Sequence, residues 1–209
     1  RRGHRPTVPA VAPDPARTSA RLTQLPGTVI RRRTGLRPAA AEYIQSKLPK
    51  ETHASVFEWG CGASTIWLAR LGCGVVSVEL DHDWAESTRV WLQKEGLSSR
   101  VRIIDFSPKN PLNLCDSADY ILKFPDSAFD LVLIDGRTRN RCLGNARSNV
   151  KVGGMLCLDN SEREEYASGV ALMNSWDGYE WGDEGWKTTV WHRLPDSFAM
   201  RCIFPCEDA

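Results

Sequence analysis

The sequence predicts an α/β fold: a mostly parallel seven-strand sheet with helices on both faces, closed by a C-terminal antiparallel hairpin and preceded by an extended basic arm. Three observations predict it. Short β-rich runs alternate with amphipathic helical stretches from residue 55 to about residue 174, the pattern of a parallel sheet covered on both sides. After Trp176 the alternation stops, and two β-rich runs meet around Gly185. Residues 1–50 carry eleven Lys/Arg against Asp14 and Glu42, a net of +9, whereas the remainder carries sixteen against twenty-four, a net of −8.

Taken in order, residues 1–35 form the arm and 36–209 the folded domain. The arm is rich in proline and arginine and lacks hydrophobic periodicity, which favours an extended, polyproline-leaning chain. Its Arg-rich, acid-poor composition is also that of an organelle transit region. The expected location is therefore a reducing intracellular compartment, either cytoplasm or an organelle such as a mitochondrion or plastid. A helix fits 38–47, where Ala39, Ala40, Tyr43, Ile44 and Leu48 make an apolar face. Strands follow at 55–58, 75–79, 101–104, 129–135 and 155–159, and helices at 64–71, 83–95, 139–148 and 162–174. The hairpin pairs 179–183 with 187–193, and 200–204 is a further strand candidate.

No run approaches the roughly 18 consecutive apolar residues a membrane helix needs. The seven cysteines include no C-x-x-C pair, which argues against zinc and for buried thiols. Cys202 and Cys206 alone are spaced to pair near the C-terminus.

Chemistry concentrates in Val56-Phe57-Glu58-Trp59-Gly60-Cys61-Gly62-Ala63-Ser64-Thr65, with Ser77-Val78-Glu79 beyond it. A glycine turn after a first strand lets a ligand approach the backbone. A dinucleotide loop would place a third glycine at 65, which is threonine here, and would aim a helix N-terminus at pyrophosphate. Glu58 beside a phosphate costs Coulomb energy, of order 1 to 4 kcal/mol at about 4 Å depending on dielectric. A cationic ligand reverses the sign. Glu58 then suits an ammonium, and Glu79 at the second strand end suits two ribose hydroxyls.

These residues, with Phe129-Asp130-Leu131-Val132-Leu133-Ile134-Asp135-Gly136 and Gly153-Gly154-Met155-Leu156-Cys157-Leu158-Asp159-Asn160, occur in an order that resembles the class I, seven-strand SAM-dependent methyltransferases over roughly 53–194. The resemblance implies S-adenosylmethionine as cofactor, held by Glu58, Gly60, Gly62, Ser64 and Glu79, with Asp105 accepting from the adenine amine and Phe106 stacking on the ring. A narrower similarity, to metal-dependent O-methyltransferases of the catechol type, places Asp135, Asp159 and Asn160 as catalytic residues and as ligands for Mg²⁺. That family's general-base lysine corresponds to Thr138, which leaves the base unassigned. The implied activity is O-methylation of a small molecule or other hydroxyl-bearing acceptor.

Each assignment has a plainer rival. Asp135 and Asp159 could cap the helices that follow them. Arg137, Arg139 and Arg141 could clamp a substrate anion or simply be solvated and paired with Glu162, Glu164 and Glu165. His192 reads as structural. Trp176, Trp181, Trp186 and Trp191 recur every five residues, a spacing that fits neither strand nor helix; they could line an aromatic pocket or pack against a protein partner. The arm and this Trp-rich end together allow a second reading, a methyltransferase-like architectural subunit of a larger assembly. Nucleic acid is disfavoured by the acidic body, although the arm could neutralise phosphates.

Overall fold

The computed structural model describes residues 34–50, 53–107 and 129–195. Residues 1–33 of the expected arm, the 200–204 strand and Cys202 with Cys206 lie outside the described residues. Within them run α1 (Pro38–Lys47), β1 (Ser55–Trp59), α2 (Ala63–Arg70), β2 (Gly74–Glu79), α3 (His82–Lys94), β3 (Val101–Asp105), β4 (Phe129–Ile134), α4 (Arg139–Ala146), β5 (Val150–Asp159), α5 (Ala167–Ala171), β6 (Asp177–Asp183) and β7 (Trp186–His192).

The seven strands form one sheet in the order β3-β2-β1-β4-β5-β7-β6. β1 to β5 are parallel, and β7 is inserted antiparallel between β5 and β6. Strand order reverses between β1 and β4, so their carboxyl ends open the crevice where such sheets bind ligands.

Period-two alternation distributes the buried run of β4 to both faces. Val132 and Ile134 join Phe57, Trp59, Leu156, Leu158 and the α4 residues Cys142 and Leu143 in one core layer. Leu131 and Leu133 join Val56, Met155, Cys157, Ile44 of α1 and Trp67 and Leu68 of α2 in the other. A strand buried on both sides has no polar face, which is why Phe129–Ile134 reads as a near-continuous apolar run. The one interruption, Asp130, sits at the amino end of β4, where it accepts from Ser55 N (2.8 Å), Ser55 Oγ (2.9 Å) and Lys151 Nζ (2.9 Å).

Two elements differ from the sequence expectation. β5 begins at Val150 rather than 155, because Gly153 (φ 80°) and Gly154 carry an irregularity in the β4–β5 register rather than a turn. The helix expected over 162–174 is cut to a 3₁₀ turn, Glu164–Tyr166, and the short α5. Asn160, left-handed at φ 53°, redirects the chain just after β5.

The hairpin is fastened to the body by residues from the start of the domain. Arg37 donates through Nε to Trp186 O (2.7 Å), pairs with Asp183 (2.9 Å) and lies over the Trp186 ring (4.4 Å). Tyr43 bonds His192 Nε2 (2.9 Å) and packs on Tyr179 and Trp181. His192 thus has the structural place expected of it, and burial lowers its pKa. The four tryptophans spaced by five do not share a surface: Trp191 and Trp176 pack on one core layer, Trp181 on the other, and Trp186 reaches the carboxyl end of β5.

Cys61, Cys73, Cys142 and Cys157 are free and buried, and burial raises the pKa of each thiol. Among the described residues no helix is long and apolar enough to cross a membrane.

Candidate functional site

All five parallel strands deliver an acid to the same edge of the sheet. Glu58 is the penultimate residue of β1, Glu79, Asp105 and Asp159 end β2, β3 and β5, and Asp135 follows β4 directly. A sheet edge so lined with acids suits cationic and hydroxyl-bearing groups and is a poor place for phosphate.

The glycine turn closes the gap between β1 and α2. Gly60 has φ 90° and Gly62 has φ 148°, conformations that favour glycine. A Cβ at Gly60 would stand 2.9 Å from the backbone of Gly136, so the turns after β1 and β4 lie back to back. Against Gly62 lies the Trp84 indole, 3.2 Å from where a Cβ would stand, and its Nε1 donates to Cys61 O at 2.5 Å. Trp84 reaches this position from the first turn of α3, where Asp81 caps the helix by accepting from Trp84 N (3.1 Å).

Glu58 differs from its expected role. Rather than facing the crevice, it is fully buried and accepts from the hydroxyls of Ser77 (2.5 Å), Ser64 (2.9 Å) and Thr65. Burial pushes its pKa up to about 7 against those hydrogen bonds, with the Asp135 charge adding to the rise. Thr65 also accepts from Gly62 N at 2.8 Å, so Glu58 fixes the turn through the side chain that replaces a third glycine. Ser64, expected at the cofactor, is likewise buried and committed to Glu58.

Glu79 gathers three backbone donors, Cys61 N (3.0 Å), Leu80 N (2.8 Å) and Asp81 N (3.0 Å), and so binds the glycine turn to the end of β2. Asp105 accepts from His82 Nδ1 (2.6 Å) and Ser107 N (2.8 Å). Burial works to raise its pKa, but the bonds from Ser107 and His82 outweigh it and hold the carboxyl below its ordinary value. Phe106 beside it is buried.

Asp135, Asp159 and Asn160 lie near one another, around a residue that sequence reasoning did not place there. Arg139, 5 % exposed, donates to Gly136 O (2.9 Å), Asp135 O (2.9 Å), Asp135 Oδ1 (2.8 Å), Asp159 O (2.5 Å) and Asn160 Oδ1 (3.2 Å). The signal was closeness in sequence: Asp135 follows β4 and Arg139 opens α4, so one short turn brings acid and guanidinium together. Arg137 and Arg141 are exposed.

The Asp159 carboxylate points to the hairpin, where Oδ1 accepts from Thr188 Oγ1 (2.6 Å) and Trp186 Nε1 (2.9 Å). Burial raises its pKa, with the neighbouring Asp135 charge second, and the Thr188, Trp186 and Arg139 interactions oppose the rise.

The expected Mg²⁺ set does not fit this arrangement. Asp135 and Asn160 already give oxygens to a guanidinium, and Asp159 gives an oxygen to two neutral donors. No group of three or more His, Cys, Asp or Glu placed to hold a metal occurs among the described residues. S-adenosylmethionine, in contrast, fits the donor set: a positive-φ glycine turn bordered by acids on β2 and β3, without a cationic phosphate clamp in the turn itself.

A family model described as a methyltransferase domain matches residues 57–161, about half of the chain. No curated protein matches it by sequence. Among solved structures, the chain is similar to a SAM-dependent O-methyltransferase from Thermotoga maritima (TM-score 0.59, 15% identity, 79% of this chain and 69% of that one). It is similar also to an O-methyltransferase from Bacillus cereus in complex with SAH (0.56, 20%, 75% and 82%). A third is the O-methyltransferase TomG from Streptomyces achromogenes in complex with SAM (0.54, 17%, 74% and 77%). These identities speak to fold alone. The family match over the glycine turn and all five strand-end acids, together with this strand order, means that the chain belongs to the methyltransferase-domain family, built on the class I fold of SAM-dependent methyltransferases.

Proposed function

We propose that this protein binds S-adenosylmethionine and transfers its methyl group to an oxygen of a small hydroxyl-bearing acceptor. The observation that carries the reading is the positive-φ Gly60–Gly62 turn, locked from beneath by Glu58 and Thr65 and bordered by Glu79 and Asp105. The sulfonium of the bound cofactor supplies an already activated methyl group, so the protein's main task is to position the acceptor.

Glu79 accepts from the ribose hydroxyls, while its bonds to Cys61 N and Leu80 N keep the carboxylate at the turn. Asp105 accepts from the adenine amine, with Phe106 beside it. Gly60 and Gly62 admit the methionine end close to the backbone. Asp135, whose side chain is 28 % exposed against 4 % for Asp159 as a residue, is the carboxylate that meets the acceptor hydroxyl. The O-methyltransferases among the similar structures support an oxygen acceptor.

Calorimetry with S-adenosylmethionine and its demethylated product tests cofactor binding, and label transfer from methyl-labelled cofactor to a panel of small phenols and alcohols tests the acceptor class. Glu79→Ala weakens binding by at least about ten-fold, the worth of a lost charge-assisted hydrogen bond. No heat at millimolar ligand, with Glu79→Ala indistinguishable from the parent, sinks the reading.

A further inference from the structure

Arg139 occupies the place where metal-dependent relatives of this fold are expected to hold an ion, and its bonding is complete. A guanidinium carries five N–H donors; all five find oxygens, from Asp135, Gly136, Asp159 and Asn160. These acceptors lie on the ends of two strands, β4 and β5, and on the turn after β4. The side chain is 6 % exposed, so the charge works in a low dielectric, and Tyr166 lies 5.7 Å away against the guanidinium face.

A second, independent observation concerns the backbone. Among the described residues, two non-glycine residues have positive φ: Thr138 at 51° and Asn160 at 53°. One precedes Arg139, and the other accepts from it. Left-handed conformations cost energy for residues with a Cβ and persist where surrounding bonds over-determine them. Here both strained turns are joined by one side chain.

We infer that Arg139 is the built-in cation of this site: it neutralises Asp135 and fixes the ends of β4 and β5 as a divalent ion would, so that the chain works without a metal. This rests on the proposed methyl transfer only for the statement about turnover; the cation's role is read from metal binding alone. Asp135, Asp159 and Asn160 then keep the residue types of a hard-ion site while their charge is balanced from within. Arg139 is a positioning residue, and it holds the carboxylate that meets the acceptor.

The test is Mn²⁺ binding, followed by its paramagnetic signal, to the full chain and to three variants. The parent and Arg139→Lys, which keeps the charge, bind no Mn²⁺ at the site. Arg139→Gln, which keeps hydrogen-bonding capacity and loses the charge, gains Mn²⁺ affinity at least about ten-fold over the parent, since the Asp135 carboxylate then loses the positive charge that Arg139 sets against it. Adding Asp135→Asn to Arg139→Gln removes that gain. General structural damage would affect the Lys and Gln variants alike and would not create a site that Asp135 controls. A stoichiometric Mn²⁺ site in the parent that Asp135→Asn abolishes overturns the inference, and needs no folded Arg139 variant. Equal Mn²⁺ binding by parent, Lys and Gln proteins overturns it too. If cofactor binding fails in calorimetry while the Mn²⁺ pattern holds, it is the methyl-transfer reading that falls.

Discussion

At the scale of single residues, Glu58 makes the sharpest prediction. Its carboxyl has an ordinary value of 4.5 and about 7 in the fold, the rise coming from burial against three hydroxyl bonds and the Asp135 charge. Between those values the folded chain keeps a proton that the unfolded chain has released, so Glu58 makes stability fall as pH rises through this window. The total is on the order of 3 kcal/mol. Glu58→Gln, whose amide oxygen can still accept from Ser77 and Thr65 while its NH2 donates to Ser64 Oγ, removes this slope; thermal unfolding at several pH values should show a flatter profile from about pH 4.5 to 7. Gly60→Ala fails differently. Its Cβ meets the Gly136 backbone at 2.9 Å in a φ 90° conformation, and neither backbone can yield cheaply. The expected cost is at least about 2 kcal/mol in chemical denaturation, with cofactor binding lost alongside.

At the scale of elements, the two ends of the sheet separate stability from function. At the amino end, Asp130 ties β1, β4 and the start of β5 through Ser55 and Lys151. Asp130→Ala should lower unfolding free energy by about 1 to 3 kcal/mol and leave cofactor affinity within about two-fold, because Asp130 lies at the far end of its strand from the site. At the carboxyl end, Thr188 donates to Asp159 and accepts from Arg37 N. Thr188→Val removes one of the bonds that hold the Asp159 pKa down, so that pKa rises further. A carboxyl-resolved NMR titration should show the shift, and an unchanged or lowered value would count against this arrangement. Element boundaries were legible where periodicity was clean: α1 and β2 to β4 lie within about a residue or so of expectation. They were not legible in β5, since Gly153-Gly154 looks like a turn in sequence. In the sheet those two residues sit where the β4–β5 register shifts. The helix after β5 was overestimated because the 162–174 pattern carries no sign of the left-handed Asn160, whose conformation is held from another element by Arg139.

At the scale of the whole molecule, fold class and the acid at each parallel strand end were readable from the sequence, because each acid interrupts or ends an apolar run at a fixed phase. Partnerships within the site were not, because they depend on where side chains converge in space. Glu58 reads as a ligand contact until the hydroxyls of Ser64, Thr65 and Ser77 close over it. Arg139 reads as one of three alternate surface arginines until β4 and β5 bring five acceptors to it. The charge split also belongs to this scale: eleven Lys/Arg against two acids in residues 1–50, and an acidic remainder. A chain lacking residues 1–33 should retain its cofactor affinity in calorimetry, since every residue assigned to that site lies between 58 and 160. A large loss of affinity would mean that the site extends into the basic segment.

Trp84 gives the site a voice of its own. Of the eight tryptophans it is the most exposed, at 43 %, and its indole lies against Gly62 and bonds the Cys61 carbonyl. A dissolved collisional quencher such as iodide should therefore extinguish chiefly the emission of Trp84, leaving the more buried indoles bright. Occupation of the glycine turn should shield it. The fraction of quenchable light then becomes a label-free gauge of how full the turn is, readable without any assay of turnover.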